Sequence, residues 1–250
     1  MYEFLALILG MCVGSFSNVC IYRWLKGESV VFKPSHCRTC ETPIKWYDNI
    51  PLFSWIMLGG KCRHCGTPIS VQYPFVEVIT GLAYLLIFQK YGMVWESVLL
   101  MFTTWIFVVA TISDIRQMEI PDELTIAALL FAPINWFFGN IELVQIAMGI
   151  VPAVFVYVLA LFLSHRNGGD FPIGGGDLKF LFSLGILHGF MLPLAVLQIG
   201  AIMIGLIFIN VLVSDLSKGE RTPVPMMAGF FPAYVYLFLM NFQVLGIPII

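Results

Sequence analysis

Charge is scarce in this chain. Of 250 residues only 11% are Asp, Glu, Lys or Arg, against about 25% in an ordinary soluble domain, and that class is thereby excluded. No basic excess exists either. The 13 Lys and Arg face 15 Asp and Glu, a formal net charge of -2, so the chain lacks the positive field by which proteins hold nucleic acid. No glycine-rich motif of the dinucleotide-binding type is visible. Disorder is excluded from the opposite side, because 22 Phe, 12 Met and 6 Trp supply far more apolar surface than a disordered chain carries. With 59% hydrophobic residues, what remains is an all-α, polytopic membrane protein.

The apolar residues fall into blocks that can be compared with the roughly 20 helical residues a bilayer core requires. Eight crossings are expected: Met1 to Tyr22, Tyr73 to Gln89, Val94 to Ser113, Glu123 to Phe138, Ile141 to Leu163, Leu178 to Phe190, Met191 to Val213 and Met226 to Phe242. The sixth and seventh share one apolar stretch, with a sharp reversal expected near Gly189 and Pro193. The first block carries Glu3 and meets its first positive charges only afterwards, at Arg23 and Lys26. It therefore reads as a retained helix rather than a signal peptide. With eight crossings, 12 of the 13 Lys and Arg residues fall on one face and only Lys90 on the other. The positive-inside rule makes that face cytoplasmic.

The expected organisation is a first helix over 1–22, a cytoplasmic loop domain over 23–72 and a membrane domain over 73–250. The loop holds four of the six cysteines, as Cys37-Arg-Thr-Cys40 and Cys62-Arg-His-Cys65. Two Cys-x-x-Cys knuckles at this spacing suit a structural Zn2+ bound by four thiolates. A loop of this size has too small a core to fold alone, and a metal compensates. Two disulfides are the alternative, disfavoured in a reducing compartment.

Two acidic residues stand where a bilayer makes them costly. Asp114 ends the third crossing, in Ser113-Asp-Ile-Arg-Gln-Met-Glu-Ile-Pro-Asp122, and Asp177 precedes the sixth, in Gly174-Gly-Gly-Asp-Leu-Lys179. Each has a structural reading as well: Asp177 as a helix N-cap, Asp114 as an interfacial charge partnered by Arg116. Lys179 is read either as turned toward the site or as snorkelling to lipid. Two carboxylates held together are the minimum for aspartic proteolysis. Glycines 174–176 would let a substrate backbone come close.

At these residues the sequence resembles the type IV prepilin peptidase family. The likeness runs through Gly14-Ser-Phe-Ser-Asn-Val-Cys-Ile-Tyr-Arg23, the paired cysteine motifs, Tyr73-Pro-Phe-Val-Glu77, Asp114 with Ile120-Pro-Asp122, and the Gly-x-Gly-Asp motif ending at Asp177. The resemblance implies a bifunctional enzyme of the bacterial inner membrane, with loop and active site on the cytoplasmic side. It would cleave prepilins or pseudopilins after a glycine with Asp114 and Asp177, then N-methylate the new amino terminus from S-adenosylmethionine. Gly60 and Lys61 sit where the family has residues linked to methyl transfer. Glu77 and Arg63 are further candidate contacts, and Glu77 also reads as an interfacial charge. The partners so implied are the pilin-like substrates and the lipid bilayer, with no nucleic acid and no oligomeric state specified. The competing class is a zinc-stabilised transporter using the same two aspartates, against which stands the lack of any acid in the middle of a crossing.

Overall fold

A computed structural model of the chain describes residues 1–32, 34–138, 142–166, 174–207 and 225–239. The described residues form helices joined by turns, with no strand beyond two isolated bridges in the cysteine loop. The chain divides into two units, Met1–Val109 and Ala110–Ile250.

In the first unit, α1 (Tyr2–Trp24) and α3 (Gln72–Tyr91) lie side by side. Between them come the cysteine loop, a single 3-10 turn (Trp46–Asp48) and the short α2 (Phe53–Met57). Small residues let the two long helices touch backbone to backbone: a Cβ on Gly10 would lie 2.7 Å from the Thr80 carbonyl oxygen, and one on Gly14 would lie 2.8 Å from Glu77 Cα. This is how membrane helices associate where lipid removes the hydrophobic drive. Buried hydroxyls on these helices are satisfied locally, Ser17 Oγ donating to the Val13 carbonyl and Thr80 Oγ1 to that of Val76, both at 2.8 Å. The long α4 (Trp95–Gln117) begins in this unit, where the Tyr84 hydroxyl donates to the Met101 carbonyl at 2.9 Å.

The second unit takes the end of α4 and continues through α5 (Asp122–Phe138), α6 (Leu143–Gly149), α7 (Val151–Arg166), α8 (Gly175–His188), α9 (Met191–Ile207) and α10 (Met227–Leu239). Helix α8 is central, flanked by α5, α6, α7 and α9. It buries residues all round its circumference, as a helix enclosed by others must. Leu181 packs with Ala153 and Val156 of α7, while Asn135 Nδ2 of α5 donates to the Leu187 carbonyl at 2.8 Å. Helices α6 and α8 meet at two glycines, where a Cβ on Gly185 would stand 2.0 Å from the Gly149 oxygen.

The protein is a membrane protein by the character of its helices. Those at Tyr2–Trp24, Trp95–Gln117 and Val144–Phe162 are long and apolar enough to cross a bilayer. Large apolar side chains such as Phe4, Leu130, Phe137 and Phe155 face outward, unlike a soluble surface. Each of the eight expected crossings meets a helix, and among the described residues the other five do not reach that standard. Helix α8, with 14 residues, is about 21 Å long at 1.5 Å per residue against a hydrocarbon core of about 30 Å. The fifth crossing, which includes Val144–Phe162, carries a local turn at Ile150 between α6 and α7, just before Pro152, whose ring removes a helical donor. The reversal near Gly189 is present, at a φ of 73° that glycine tolerates, and Pro193 lies in the first turn of α9. The expected ends at Ile141, Val213 and Phe242, and the charges Lys33, Lys218 and Arg221, lie outside the described residues.

Candidate active site and metal centre

Asp114 occupies the last turn of α4. The helix stops because Met118 takes a left-handed φ of 55° while its N–H returns to the Asp114 carbonyl at 2.8 Å. The chain then reverses through Ile120 and Pro121 into α5. The Asp114 carboxylate is only 6% exposed, and its Oδ2 accepts the Met227 N–H at 2.9 Å. Met227 opens α10, so the carboxylate meets one of the backbone donors that a helix start leaves without a partner of its own. Arg116, the partner suggested by sequence, is absent from this contact.

Asp177 is the third residue of α8. Gly174 holds the N-cap position, so the reading of Asp177 as the cap itself is corrected. The glycine run moves the helix start upstream and leaves Asp177 inside the first turn, its N–H donating to the Gly174 carbonyl at 3.2 Å. The carboxylate is 9% exposed and lies in the electrostatic field of Asp114. Ile120 lies against this turn, since a Cβ on Gly176 would be 3.1 Å from Ile120 Cβ. Lys179 takes neither of its expected roles and pairs with Asp122, pinning the first turns of α5 and α8 together. Two neighbouring carboxylates resist ionising together. Such a pair can hold one proton between them, so that one takes a proton from water while the other donates to a carbonyl.

The four loop cysteines converge. The Sγ atoms of Cys37, Cys40, Cys62 and Cys65 all lie within 4.8 Å of one another, with Cys37 and Cys65 at 3.8 Å, and together could hold a metal ion. Each knuckle closes in the same way: Cys37 N–H donates to Thr42 O at 3.0 Å and Cys62 N–H to Thr67 O at 2.9 Å. Thr67 holds the Cys65 thiol down to about 6 through its side chain and backbone, and Thr42 lowers that of Cys40 similarly. Behind this sameness lies a repeat that motif reading passed over. Residues 37–44, Cys-Arg-Thr-Cys-Glu-Thr-Pro-Ile, return at 62–69 as Cys-Arg-His-Cys-Gly-Thr-Pro-Ile. The left-handed turn falls on Glu41 in one copy and Gly66 in the other, at φ of 55° and 72°.

Between this loop and the ends of α1 and α3 lies a cavity of about 530 Å³. Tyr22, Arg38, Trp55, Arg63, Tyr73 and Glu77 are among its walls. The Arg38 guanidinium stands 3.7 Å from the centre of the Tyr22 ring and 5.3 Å from that of Tyr73. Arg63 is bound to Asp48 through Nε and Nη2, at 2.8 and 2.6 Å. Gly60 and Lys61 are not in the wall. Gly60, at a φ of 67°, lies beneath Trp55, where a Cβ would come within 2.9 Å of the indole, and Lys61 forms the bridge to Pro68.

Comparison with known proteins adds the following. Residues 8–91 match the Bacterial Peptidase A24 N-terminal domain, and residues 101–209 match the Type IV leader peptidase family. Among curated relatives, a prepilin leader peptidase/N-methyltransferase of Aeromonas hydrophila is 31% identical over 90% of this chain and 86% of its own length. One from Pectobacterium carotovorum subsp. carotovorum is 34% identical over 73% of each chain. One from Myxococcus xanthus is 30% identical over 86% of this chain, which spans 64% of that relative. No solved structure matches.

Proposed function

The chain belongs to the type IV leader peptidase family, and on that basis we propose how it cleaves prepilins and N-methylates what it has cut. The leading observation is the pair of buried aspartates, Asp114 and Asp177, carried on two different helices, with Asp177 in the field of Asp114. In the proposed reaction one carboxylate, ionised, takes a proton from the attacking water. The other, protonated, hydrogen-bonds the scissile carbonyl and then supplies the proton with which the new amine departs. Beside it, the run Gly174–Gly176 leaves room for the substrate backbone.

The donor set of the loop is that of structural zinc. Tetrahedral sulfur ligands about 2.3 Å from Zn2+ stand about 3.8 Å apart, and Cys37 and Cys65 are 3.8 Å apart. Held by Cys37, Cys40, Cys62 and Cys65, a zinc ion would close both knuckles and so stabilise the loop wall of the cavity. We assign S-adenosylmethionine to that cavity, supported by its volume of about 530 Å³, within the usual range of about 300–1,000 Å³ for small-molecule sites. The donor would supply a methyl group on a sulfonium cation, and Trp55, an aromatic side chain of the same wall, would meet it, since Tyr22 is already covered by Arg38 and Lys26 at 3.7 and 4.3 Å from its ring centre. Gly60 would act there by seating Trp55, and Lys61 from outside the wall.

Twelve of the 13 basic residues on one side orient the loop and both aspartates to the cytoplasm in an eight-crossing arrangement. In bacteria that membrane is the inner one. The substrate would be a prepilin or pseudopilin whose leader lies in the cytoplasm. The test is to incubate the purified chain in detergent with a prepilin and read the products by mass spectrometry. A cut after the leader's last glycine supports the reading; an uncut prepilin, or a cut elsewhere, refutes it.

A further inference from the structure

The cavity in the first unit contains a carboxylate that the peptidase reaction does not use. Glu77 sits on the second turn of α3, is only 6% exposed, and forms part of the cavity wall. Its Oε2 accepts the Leu52 N–H at 2.7 Å, and Ser15 also hydrogen-bonds to it. Leu52 aims that N–H from a left-handed backbone, φ 59° and ψ -50°, a conformation costly for a branched side chain and maintained only where the surroundings enforce it. On the far side, Gly14 of α1 brings backbone against Glu77 Cα. Among the described residues no ion pair forms at this carboxylate, although Arg23, Arg38 and Lys45 line the same cavity, whereas Asp48, the other acid in the wall, is bound to Arg63.

A buried acid with donors built around it and no positive partner is an expensive arrangement. A cationic group on a ligand can supply the ion pair that Glu77 lacks, and the cavity gives it room.

We propose that Glu77 receives the free amino terminus of the cleaved substrate, holding its ammonium at the membrane-facing floor of the cavity. The inference rests on the methyl-transfer reading above and names the residue that binds the acceptor. A new α-amino group has a pKa near about 8 and is mostly protonated at neutral pH, which leaves its nitrogen without a lone pair for methyl transfer. At Glu77 the proton passes from the ammonium nitrogen to the carboxylate oxygen, giving a neutral amine and a neutral acid. The amine keeps the electron pair. Cleaved substrate presents this ammonium at the head of an apolar helix, and the floor of the cavity lies between two such helices, α1 and α3.

The experiment uses the purified full-length chain in detergent and a fluorescent peptide copying the apolar amino terminus of a cleaved prepilin, either free or N-acetylated. Wild type should bind the free peptide about 10-fold more tightly, the scale of one charge-assisted contact. Glu77→Gln, whose amide oxygen still accepts the Leu52 N–H, should lose that preference while its affinity for the acetylated peptide stays put. It should also methylate the free peptide at least 10-fold more slowly. Cleavage of intact prepilin by the same sample reports whether the variant is folded, and Glu77→Asp should restore part of the preference. If wild type methylates but Glu77→Gln still prefers the free amine, the assignment of Glu77 is overturned. If wild type cleaves yet transfers no methyl group, the methyl-transfer reading beneath it fails instead.

Discussion

Three consecutive glycines precede Asp177, and their surroundings differ enough to separate their roles by alanine substitution. A Cβ at Gly174 would lie 2.9 Å from Asp177 Oδ2, one at Gly176 would lie 3.1 Å from Ile120 Cβ, and one at Gly175 would meet nothing within 4 Å. An ordinary carbon-to-oxygen contact is about 3.3 Å, so Gly174→Ala must displace the carboxylate by about 0.4 Å. A 1 Å misplacement of a reacting group costs about 100-fold, which makes roughly a 10-fold loss in kcat the expectation, with little change in melting temperature. Gly176→Ala presses on a branched side chain next to its own backbone, which cannot swing away. Overpacking of this kind costs about 1–2 kcal/mol, a lower Tm with a smaller effect on kcat. Gly175→Ala enters open space and should leave cleavage intact, with a slight gain from helix propensity of about 0.5 kcal/mol. Prepilin cleavage kinetics and thermal unfolding on the same three samples provide the comparison. If Gly175→Ala proves as damaging to kcat as Gly174→Ala, the glycines serve some collective need and the geometric reasoning is wrong.

Other consequences can be checked in parallel. Gly185→Ala would set a Cβ 2.0 Å from the Gly149 oxygen, with backbone on both sides, and should destabilise by about 3 kcal/mol or more, read as a fall in Tm and in monodisperse yield. Cys62→Ser should strip metal from the loop, measured by elemental analysis, and open residues 23–72 to protease, since a four-ligand site contributes folding energy directly. Arg63 holds the Asp48 carboxyl below its ordinary range through hydrogen bonds and charge. That contribution is complete above the unfolded carboxylate pKa of about 3.9 and is lost as pH falls through the lower folded value. Proteolysis of the loop should therefore separate wild type from Arg63→Ala at pH near 7, and the difference should vanish in strong acid.

Much of this arrangement was legible because it is written in short-range pattern. Apolar blocks located the helices, the Gly189 reversal showed in composition, and the cysteine spacing announced a common centre. The acidic residues stood out as charges in the wrong solvent. What could not be read depends on contacts between distant segments. Nothing near Leu52 in sequence signals that it donates to Glu77, or that a leucine would adopt a left-handed φ. Met118 hides the stop of α4 for the same reason, being a non-glycine left-handed residue. The enclosure of α8 by its neighbours is likewise invisible in composition, because apolarity does not distinguish a helix surrounded by lipid from one surrounded by other helices. For Gly60 and Lys61 the sequence gives position in a motif, and only tertiary structure reveals that Gly60 lies against Trp55. The eight-residue echo between the knuckles, by contrast, is plain in the sequence itself.

Asp114 and Asp177 are proposed to act as a unit. The direct measurement is prepilin cleavage by Asp114→Asn, Asp177→Asn and the double variant, with Tm recorded for each and kcat/KM compared with wild type. Asparagine keeps an oxygen to accept the Met227 N–H, so the fold should survive. Groups that work together are grossly non-additive: each single change should remove cleavage, and the double variant should be no worse than either. Substantial cleavage by either single variant in folded protein, or a double variant whose loss is the product of the two single losses, would contradict the paired-carboxylate mechanism.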